Sequence, residues 1–152
     1  MSRHGFHLAQ LNVARAREPL DSPLMADFLA RLPPVYAAAE AAPGFVWRLK
    51  QEDVSAALAR VQTDPQLFVT LSLWESVGSL SDYVYGAEHG PPLRERGKWF
   101  ERAEGHVYVL WWVARGALPR VEQGLARLKH LNLHGPTPRA FNFARAFPPP
   151  EV

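Results

Sequence analysis

His89 carries the side chain whose chemistry points most directly to catalysis. An imidazole titrates near neutral pH, so it is able to take a proton from an acidic phenol or enol and leave an electron-rich anion that reacts with dioxygen. The same ring is a common axial ligand of haem iron. Because Gly90-Pro91-Pro92 follows it, His89 also suits the end of a helix, where a partly cationic ring complements the helix dipole. A catalytic base or proton shuttle, a haem ligand and a structural cap are the three interpretations of this residue.

Asn12 and Tyr83 are the two polar residues that we expect to orient a substrate beside His89. Asn12 lies within an otherwise apolar strand, and burial of its amide without partners would cost about 1–3 kcal/mol. It therefore needs hydrogen bonds to neighbouring backbone, or a cavity to face. Tyr83 has a hydroxyl that is able to hold a substrate oxygen, with core packing as the alternative.

Aromatic and basic residues form the predicted wall of a substrate pocket. Aromatic rings give a planar ligand a large contact area at low entropy cost, and a guanidinium binds an anionic group such as a carboxylate. His106 shares a strand face with Tyr108 and Trp112, so we expect it to face the same cavity. The predicted substrate-binding residues are Trp74, Trp99, Trp112, Arg96 and His106, with Arg48 as a second candidate for an anion. The alternatives are core or interface packing for the tryptophans, a surface or interface ion pair for the arginines, and a structural histidine with its hydrogen bonds satisfied for His106.

Several classes of functional site are absent from the sequence. The chain has no cysteine, which removes disulfides, thiolate metal ligands and cysteine nucleophiles. The remaining histidines are interpreted as too scattered to form a metal site, so no metal is predicted: His4, His7, His130 and His134. No phosphate-binding glycine loop, dinucleotide fingerprint or Gly-x-Ser-x-Gly elbow occurs, which argues against ATPases, dehydrogenases and serine hydrolases.

The composition indicates one soluble globular domain. The chain has 152 residues, of which 47% are hydrophobic and 21% charged, and this length allows a core without covalent staples. No apolar run approaches about 18 residues, the length that spans a membrane, and no signal peptide is apparent. The formal charge is +2, but basic residues alternate with acids, which argues against a nucleic-acid surface. We predict a cytoplasmic protein with no nucleic-acid or membrane partner.

The predicted elements follow the order β-α-β-β-α-β-α-β, and the first six form the split βαβ pattern of ferredoxin-like folds. Strands are predicted at residues 6–15, 45–49, 66–74, 105–114 and 141–147, and helices at 23–42, 75–85 and from 119 to about 135. Pro33-Pro34 should break or kink the first helix. The polar stretch from Lys50 to Pro65 is interpreted as a long hairpin connection. The expected class is α+β, with an antiparallel sheet and helices on one face.

Both faces of the predicted sheet carry large apolar side chains, including Trp47, Trp74, Trp111 and Trp112. One helix layer covers one face of an open sheet, and a bare apolar face would exceed what monomers normally expose. A second copy of the chain, packed face to face, would cover it. We therefore predict a homodimer of a single domain, residues 1–152, with its core at about 6–147.

The stretch Leu71-Ser72-Leu73-Trp74-Glu75-Ser76, followed by Leu80, Asp82-Tyr83 and His89, resembles the strand-to-helix signature of the antibiotic biosynthesis monooxygenase superfamily. Gly44-Phe45-Val46-Trp47-Arg48-Leu49 and Arg96-Gly97-Lys98-Trp99-Phe100 resemble a bacterial branch of it described as a domain of unknown function. The resemblance spans about residues 6–147. It implies a dimeric α/β barrel with a pocket between sheet and helices in each subunit.

The resemblance implies three functions, which stay open. Some members of the superfamily are cofactor-free oxygenases of polycyclic phenols, some degrade haem, and some have no known reaction. Haem-degrading members use an asparagine, a tryptophan and a histidine; Asn12 matches the first, Tyr83 stands at the second, and His89 lies about one helical turn before the third. The leading hypothesis is a cofactor-free, oxygenase-like enzyme for a planar aromatic substrate. A non-catalytic ligand-binding module and a haem protein are the alternatives.

Overall fold

The computed structural model describes residues 5–61, 64–86 and 96–150. Within these ranges the strands are β1 (Phe6–Arg15), β2 (Phe45–Arg48), β3 (Leu67–Trp74) and β4 (Tyr108–Ala114). The helices are α1 (Pro23–Ala30), α2 (Leu32–Ala41), α3 (Gln51–Val61), α4 (Val77–Val84), α5 (Arg96–Trp99) and α6 (Val121–His134). None of the described helices is long and apolar enough to cross a membrane.

The four strands form one antiparallel sheet in the order β2-β3-β1-β4. Strand β1 lies in the interior of the sheet, where Leu8 is opposite Trp74 of β3 and Trp112 of β4. Side chains alternate between the two faces along each regular strand, as the sequence predicted for β1 and β4. Helical connections between β1 and β2 and between β3 and β4, together with this strand order, make the fold ferredoxin-like. The predicted α+β class is confirmed.

Local signals set the ends of the first two helices. Helix α1 begins after Ser22, whose Oγ accepts a hydrogen bond from the backbone N–H of Met25 (3.4 Å), with proline at the first helical position. Helix α1 ends at its C-cap residue Arg31 and α2 begins directly after it, so Pro33 and Pro34 lie in the first turn of α2. Proline fits there because the first N–H groups of a helix have no partner within it. The predicted break at the proline pair is confirmed.

Helices cover both faces of the sheet, which differs from the prediction of helices on one face. The first face, which carries Leu8 and Trp74, packs against α1, α2 and α4. The second face packs against α3 and α6, which contribute Val54, Leu58, Val121, Leu128 and Leu131 to its core. The uncovered apolar face on which the homodimer argument depended is therefore absent from the described chain. Homodimerisation and the barrel it would form stay predictions from the resemblance.

Helix α3 occupies the segment that was predicted as a hairpin connection. Its apolar residues Val54, Ala57 and Leu58 recur at helical spacing and are buried, while the opposite side is polar and exposed. Glu52 and Asp53 in the first turn complement the helix dipole. The overall polarity of the segment concealed an amphipathic helix.

Helix α6 lies unusually close to β1. Gly124 is buried in the first turn of α6, and a Cβ atom at that position would overlap the side chain of Leu11 on β1. Glycine is about 1 kcal/mol less favourable in a helix than alanine. Its missing side chain, however, allows α6 to approach β1 closely. This contact sets the position of α6 over the second face of the sheet.

The predicted fifth strand is reduced to a single bridge. Phe141 exchanges two backbone hydrogen bonds with Leu110 of β4, at 2.8 and 2.9 Å. The chain then turns away, because Asn142 Oδ1 accepts a hydrogen bond from the backbone N–H of Arg145 (2.9 Å). The alternating aromatic residues after Phe141 therefore pack against the first face instead of extending the sheet.

Strand β2 contains a bulge that decides which of its side chains face which side. The register with β3 shifts between Phe45 and Trp47, so Val46 and Trp47 stand where a regular strand has one residue. Both pack against the second-face core, whereas Phe45 and Arg48 lie on the first face. Strict alternation would have placed Phe45 and Arg48 on opposite faces.

Candidate functional site

A cavity of about 300 Å³ lies between the first face of the sheet and helices α1, α2 and α4. This volume is at the lower end of the roughly 300–1,000 Å³ of small-molecule sites. The helices give it a mainly apolar and aromatic wall: Phe28, Leu32, Val35, Tyr36, Ala39, Leu80, Tyr83 and Val84. Strand side chains form the floor. The cavity lies where the family resemblance implied a pocket.

The floor is polar at its centre, because neighbouring strands bring hydrogen-bonding side chains into register. Gln10 of β1 donates from Nε2 to Ser72 Oγ (2.9 Å) and to Thr70 Oγ1 (3.3 Å) of β3. Trp74 Nε1 also donates to Ser72 Oγ, at 2.9 Å. A hydroxyl oxygen accepts two hydrogen bonds and donates one. Because Gln10 and Trp74 occupy both acceptor sites of Ser72 Oγ, its hydrogen is left to donate to another partner.

Asn12 lies on the same floor, between Thr70 of β3 and Tyr108 of β4. Its side chain is partly buried and makes no hydrogen bond with another residue in the described ranges. The sequence predicts that this amide either bonds neighbouring backbone or faces a cavity, and in the structure it faces the cavity. The amide is therefore available both as donor and as acceptor for a ligand. Its part in catalysis stays a prediction.

Tyr83 and Trp74 close one side of the cavity. Their rings stack with centroids 5.2 Å apart and planes inclined by 25°. The Tyr83 hydroxyl donates to the carbonyl of Val35 (3.1 Å). Burial, with a smaller contribution from the nearby Tyr36 phenol, raises the pKa of Tyr83 to about 12. Tyr83 is therefore protonated at neutral pH, so it is suited to orient a ligand and unsuited to act as a base.

Arg48 and Tyr36 form the charged end of the cavity. The guanidinium of Arg48 lies 4.1 Å from the centroid of the Tyr36 ring, and its Nε donates to Glu40 Oε2 (2.8 Å). Tyr36 Oη is buried and has no hydrogen-bond partner among the described residues. Burial raises the pKa of Tyr36, although the nearby Gln51 amide and the Arg48 charge oppose the shift. The Gln51 amide lies near this hydroxyl without meeting hydrogen-bond geometry, and its Nε2 donates instead to the carbonyl of Val69 (3.1 Å).

Two tryptophans predicted as binding residues lie outside the cavity lining. Trp99 is buried behind the wall, where its ring contacts Phe28 at a centroid distance of 5.4 Å. Trp112 donates from Nε1 to the carbonyl of Phe147 (2.8 Å) and is covered by that segment. Both residues support the first-face core, which is the alternative that the sequence left open for them.

The other predicted residues are placed as follows. His106 precedes β4 and is absent from the cavity lining; its backbone N–H donates to Oδ1 of Asn132 on α6 (2.8 Å). Strand alternation was extrapolated to His106, but β4 begins only at Tyr108. His89 lies outside the described residues. Arg96 begins α5, but its side chain is outside the part of the chain that the structure describes. The predicted roles of His89 and Arg96 stay predictions.

The described part of the cavity does not fit haem. Haem iron takes an imidazole, a thiolate, a thioether or a phenolate as axial ligand. Between residues 5 and 150, the described lining residues include no histidine, cysteine or methionine. Its tyrosines, Tyr36, Tyr83 and Tyr108, all have a pKa that burial raises, which disfavours a phenolate. Haem binding with His89 as the axial ligand therefore stays a prediction from the sequence.

A histidine pair on α6 escaped the sequence interpretation. His130 and His134 are four residues apart, which places them on one side of a helix, and their ring centroids are 4.6 Å apart. Desolvation, followed by the charges of His134, Arg139 and Arg127, lowers the pKa of His130. Within the described ranges no group of three or more histidine or acidic side chains is able to hold a metal ion.

Sequence reasoning also missed most of the polar floor. Gln10, Thr70 and Ser72 lie on the first face together with Asn12, and strand alternation alone would have grouped them. Arg48 reaches the cavity because of the β2 bulge, which no sequence signal marks. Tyr36 comes from α2 and had no pattern to single it out from core residues.

Comparisons with known proteins give one family and several similar folds. The sequence matches the family model of a domain of unknown function, DUF3291, over residues 7–152. No curated protein matches it. Among solved structures, PA3566 from Pseudomonas aeruginosa has 14% identity and a TM-score of 0.50, covering 76% of this chain and 100% of the other.

Two further solved structures are similar to this chain. SnoaB, a cofactor-independent oxygenase from Streptomyces nogalater, has 16% identity and a TM-score of 0.48, with 75% of this chain and 98% of the other covered. A candidate antibiotic biosynthesis monooxygenase from Nitrosomonas europaea has 12% identity and a TM-score of 0.47, with 78% and 95% covered. At these identities the similarity concerns the fold.

Proposed function

Since the chain belongs to the DUF3291 family, a domain of unknown function, we propose a function from its cavity: it binds a small planar aromatic molecule that carries a phenolic or enolic oxygen. The observation that carries this proposal is the amide of Asn12, which faces a cavity with a mainly apolar and aromatic wall and has no hydrogen-bond partner among the described residues. A planar ring gains contact area against Trp74 and Tyr83, and the Asn12 amide holds its oxygen. The small volume fits a bicyclic ligand better than a larger one.

Isothermal titration calorimetry with 2-naphthol tests this binding. We expect a saturable interaction, and we expect Asn12→Ala to weaken it about three- to ten-fold, the scale of one neutral hydrogen bond. Asn132→Ala is the matched control, because Asn132 is exposed on α6 and bonds His106 instead of the cavity. No heat of binding for the wild-type protein, or equal affinities for the two variants, would contradict the proposal.

Cofactor-free oxygenation of the bound phenol is the second function that we propose. The phenol loses its proton to His89, and the anion transfers electrons to dioxygen. Overall, one ring C–H becomes C=O and the phenol becomes the second carbonyl; one oxygen atom enters the ring and the other leaves as water. The support is the apolar wall, which accommodates dioxygen, and the Asn12 amide, which is able to donate to the phenolate.

Oxygen uptake and quinone absorbance, measured with 2-naphthol, test the reaction separately from binding. We expect His89→Ala to remove uptake while 2-naphthol still binds. His106→Ala is the control that should keep both, since His106 lies outside the cavity lining. Binding without any oxygen uptake in the wild-type protein would reject oxygenation and leave a ligand-binding module.

A further inference from the structure

We propose that Arg48 makes the cavity selective for aromatic acids, by binding their carboxylate beside the hydroxyl of Ser72. This inference rests on the proposed function, because it names the class of ligand that the same cavity takes. It concerns residues at the β2 side of the floor, away from Asn12.

Arg48 is held in one orientation with donors to spare. The bulge in β2 turns it to the first face, where its side chain is 19% exposed and lines the cavity. The Tyr36 ring supports one side of the guanidinium at 4.1 Å, and Glu40 accepts from Nε at 2.8 Å. A guanidinium has five N–H groups in a fixed fork, so the groups on its two Nη atoms are left for a ligand.

Ser72 places a second donor next to Arg48. The two residues are opposite each other in the β2–β3 register, and Cβ atoms of such pairs are about 4.5–5.5 Å apart. Ser72 is 8% exposed, and its oxygen already accepts from Gln10 and Trp74. The Ser72 hydrogen therefore has to find an acceptor elsewhere. A carboxylate accepts from both neighbours at once.

The charge balance of the cavity also favours an anion. Arg48 is the one charged residue in the described lining. Its partner Glu40 opposes an anionic ligand, but the Glu40 side chain is 49% exposed and its charge is screened by water. The Arg48 charge, which is less exposed and faces an apolar cavity, is screened less. The net field at this end of the cavity is therefore positive.

A matched pair of ligands isolates the carboxylate. 2-Naphthoate and 2-naphthamide have the same ring and nearly the same shape, and only the first is charged at neutral pH. We expect the wild-type protein to bind naphthoate at least about ten-fold more tightly, the scale of a charge-assisted hydrogen bond. Calorimetry gives both affinities, and their ratio is the quantity to compare between variants.

Two substitutions should move this ratio in opposite directions. Arg48→Gln should lower it to about one, while naphthamide binding persists and shows that the cavity is intact. Glu40→Gln keeps an acceptor for Arg48 Nε but removes the opposing charge, so it should raise the ratio about two- to three-fold, as expected for a screened charge. Arg102→Gln, an exposed arginine outside the lining, is the control and should leave the ratio unchanged.

The outcomes separate this inference from the proposed function. If the wild-type protein binds naphthamide as well as naphthoate, or if Arg48→Gln or Glu40→Gln leaves the ratio unchanged, selectivity by Arg48 is overturned and the binding cavity stands. If neither these ligands nor 2-naphthol binds, the proposed function fails together with this inference.

Discussion

Tyr36 and Tyr108 line the same cavity, but their hydroxyls differ in hydrogen bonding. Tyr108 Oη accepts a hydrogen bond from the backbone N–H of Phe143 (3.0 Å), whereas Tyr36 Oη is buried without a partner in the described part of the chain. A buried polar atom without a partner costs about 1–3 kcal/mol. The ligand-free protein therefore carries a local cost at Tyr36 that sequence analysis had no means to see.

The two hydroxyls predict stability changes of opposite sign. Tyr36→Phe should raise the free energy of unfolding by about 1 kcal/mol, because it removes the unpaired group. Tyr108→Phe should lower it by about 1 kcal/mol, because it leaves the Phe143 N–H without an acceptor. Urea denaturation of the two variants beside the wild-type protein measures both. A loss of stability in Tyr36→Phe would show that its hydroxyl has a partner.

Part of the site was predictable from single residues, and part was not. Asn12, Trp74 and Tyr83 were identified from strand alternation and the family signature, and all three line the cavity. Trp112 shares a face with them, but it is covered by the Phe147 segment, and covering by a distant segment leaves no local pattern. The role of His89 stays a prediction, because that residue lies outside the described residues.

At the scale of elements, α3 and α6 cover the second face of the sheet, which the sequence predicted to be free of helices. Helical spacing identified α6 in the sequence, but spacing gives no information on which face a helix covers. Helix α3 was missed because a short helix with a polar average is hard to distinguish from a loop. By contrast, β1 and the break between α1 and α2 were predicted, since alternation and proline act locally.

Substitutions of two leucines of α6 test whether this helix packs on the second face of the sheet. Leu131 is fully buried against the sheet, and Leu133, two residues further on the same helix, is 68% exposed. Leu131→Ala should lower the free energy of unfolding by about 2–5 kcal/mol, because it leaves a cavity. Leu133→Ala should change it by less than about 0.5 kcal/mol. Equal effects in chemical denaturation would mean that α6 does not pack as described.

At the scale of the whole molecule, a homodimer is still proposed from the family resemblance, but the fold no longer requires it. Each chain covers its own two sheet faces. A partner subunit would have to use another surface or displace α3 and α6. We therefore expect one chain to fold without a second one.

This independence predicts how unfolding depends on concentration. Stability that comes from a subunit interface rises with protein concentration by mass action. We expect the urea midpoint to stay constant over a roughly hundred-fold range of protein concentration, even if sedimentation velocity shows a dimer at the upper end. A midpoint that rises with concentration would show that a partner stabilises the fold.

The bulge in β2 has an evolutionary consequence. Insertions and deletions are usually regarded as events of loops, which leave binding sites intact. Here the extra residue Val46 lies inside a strand of the cavity floor, and the bulge absorbs it so that Arg48 and not Trp47 stands opposite Ser72. Deletion of Val46 would leave Trp47 opposite Leu73 and Arg48 opposite Ser72, as in a regular strand, and would keep the cation in the cavity. A one-residue gap at this position within the family would therefore preserve the charge of the cavity, whereas a strand of the same length without the bulge would place an indole opposite Ser72.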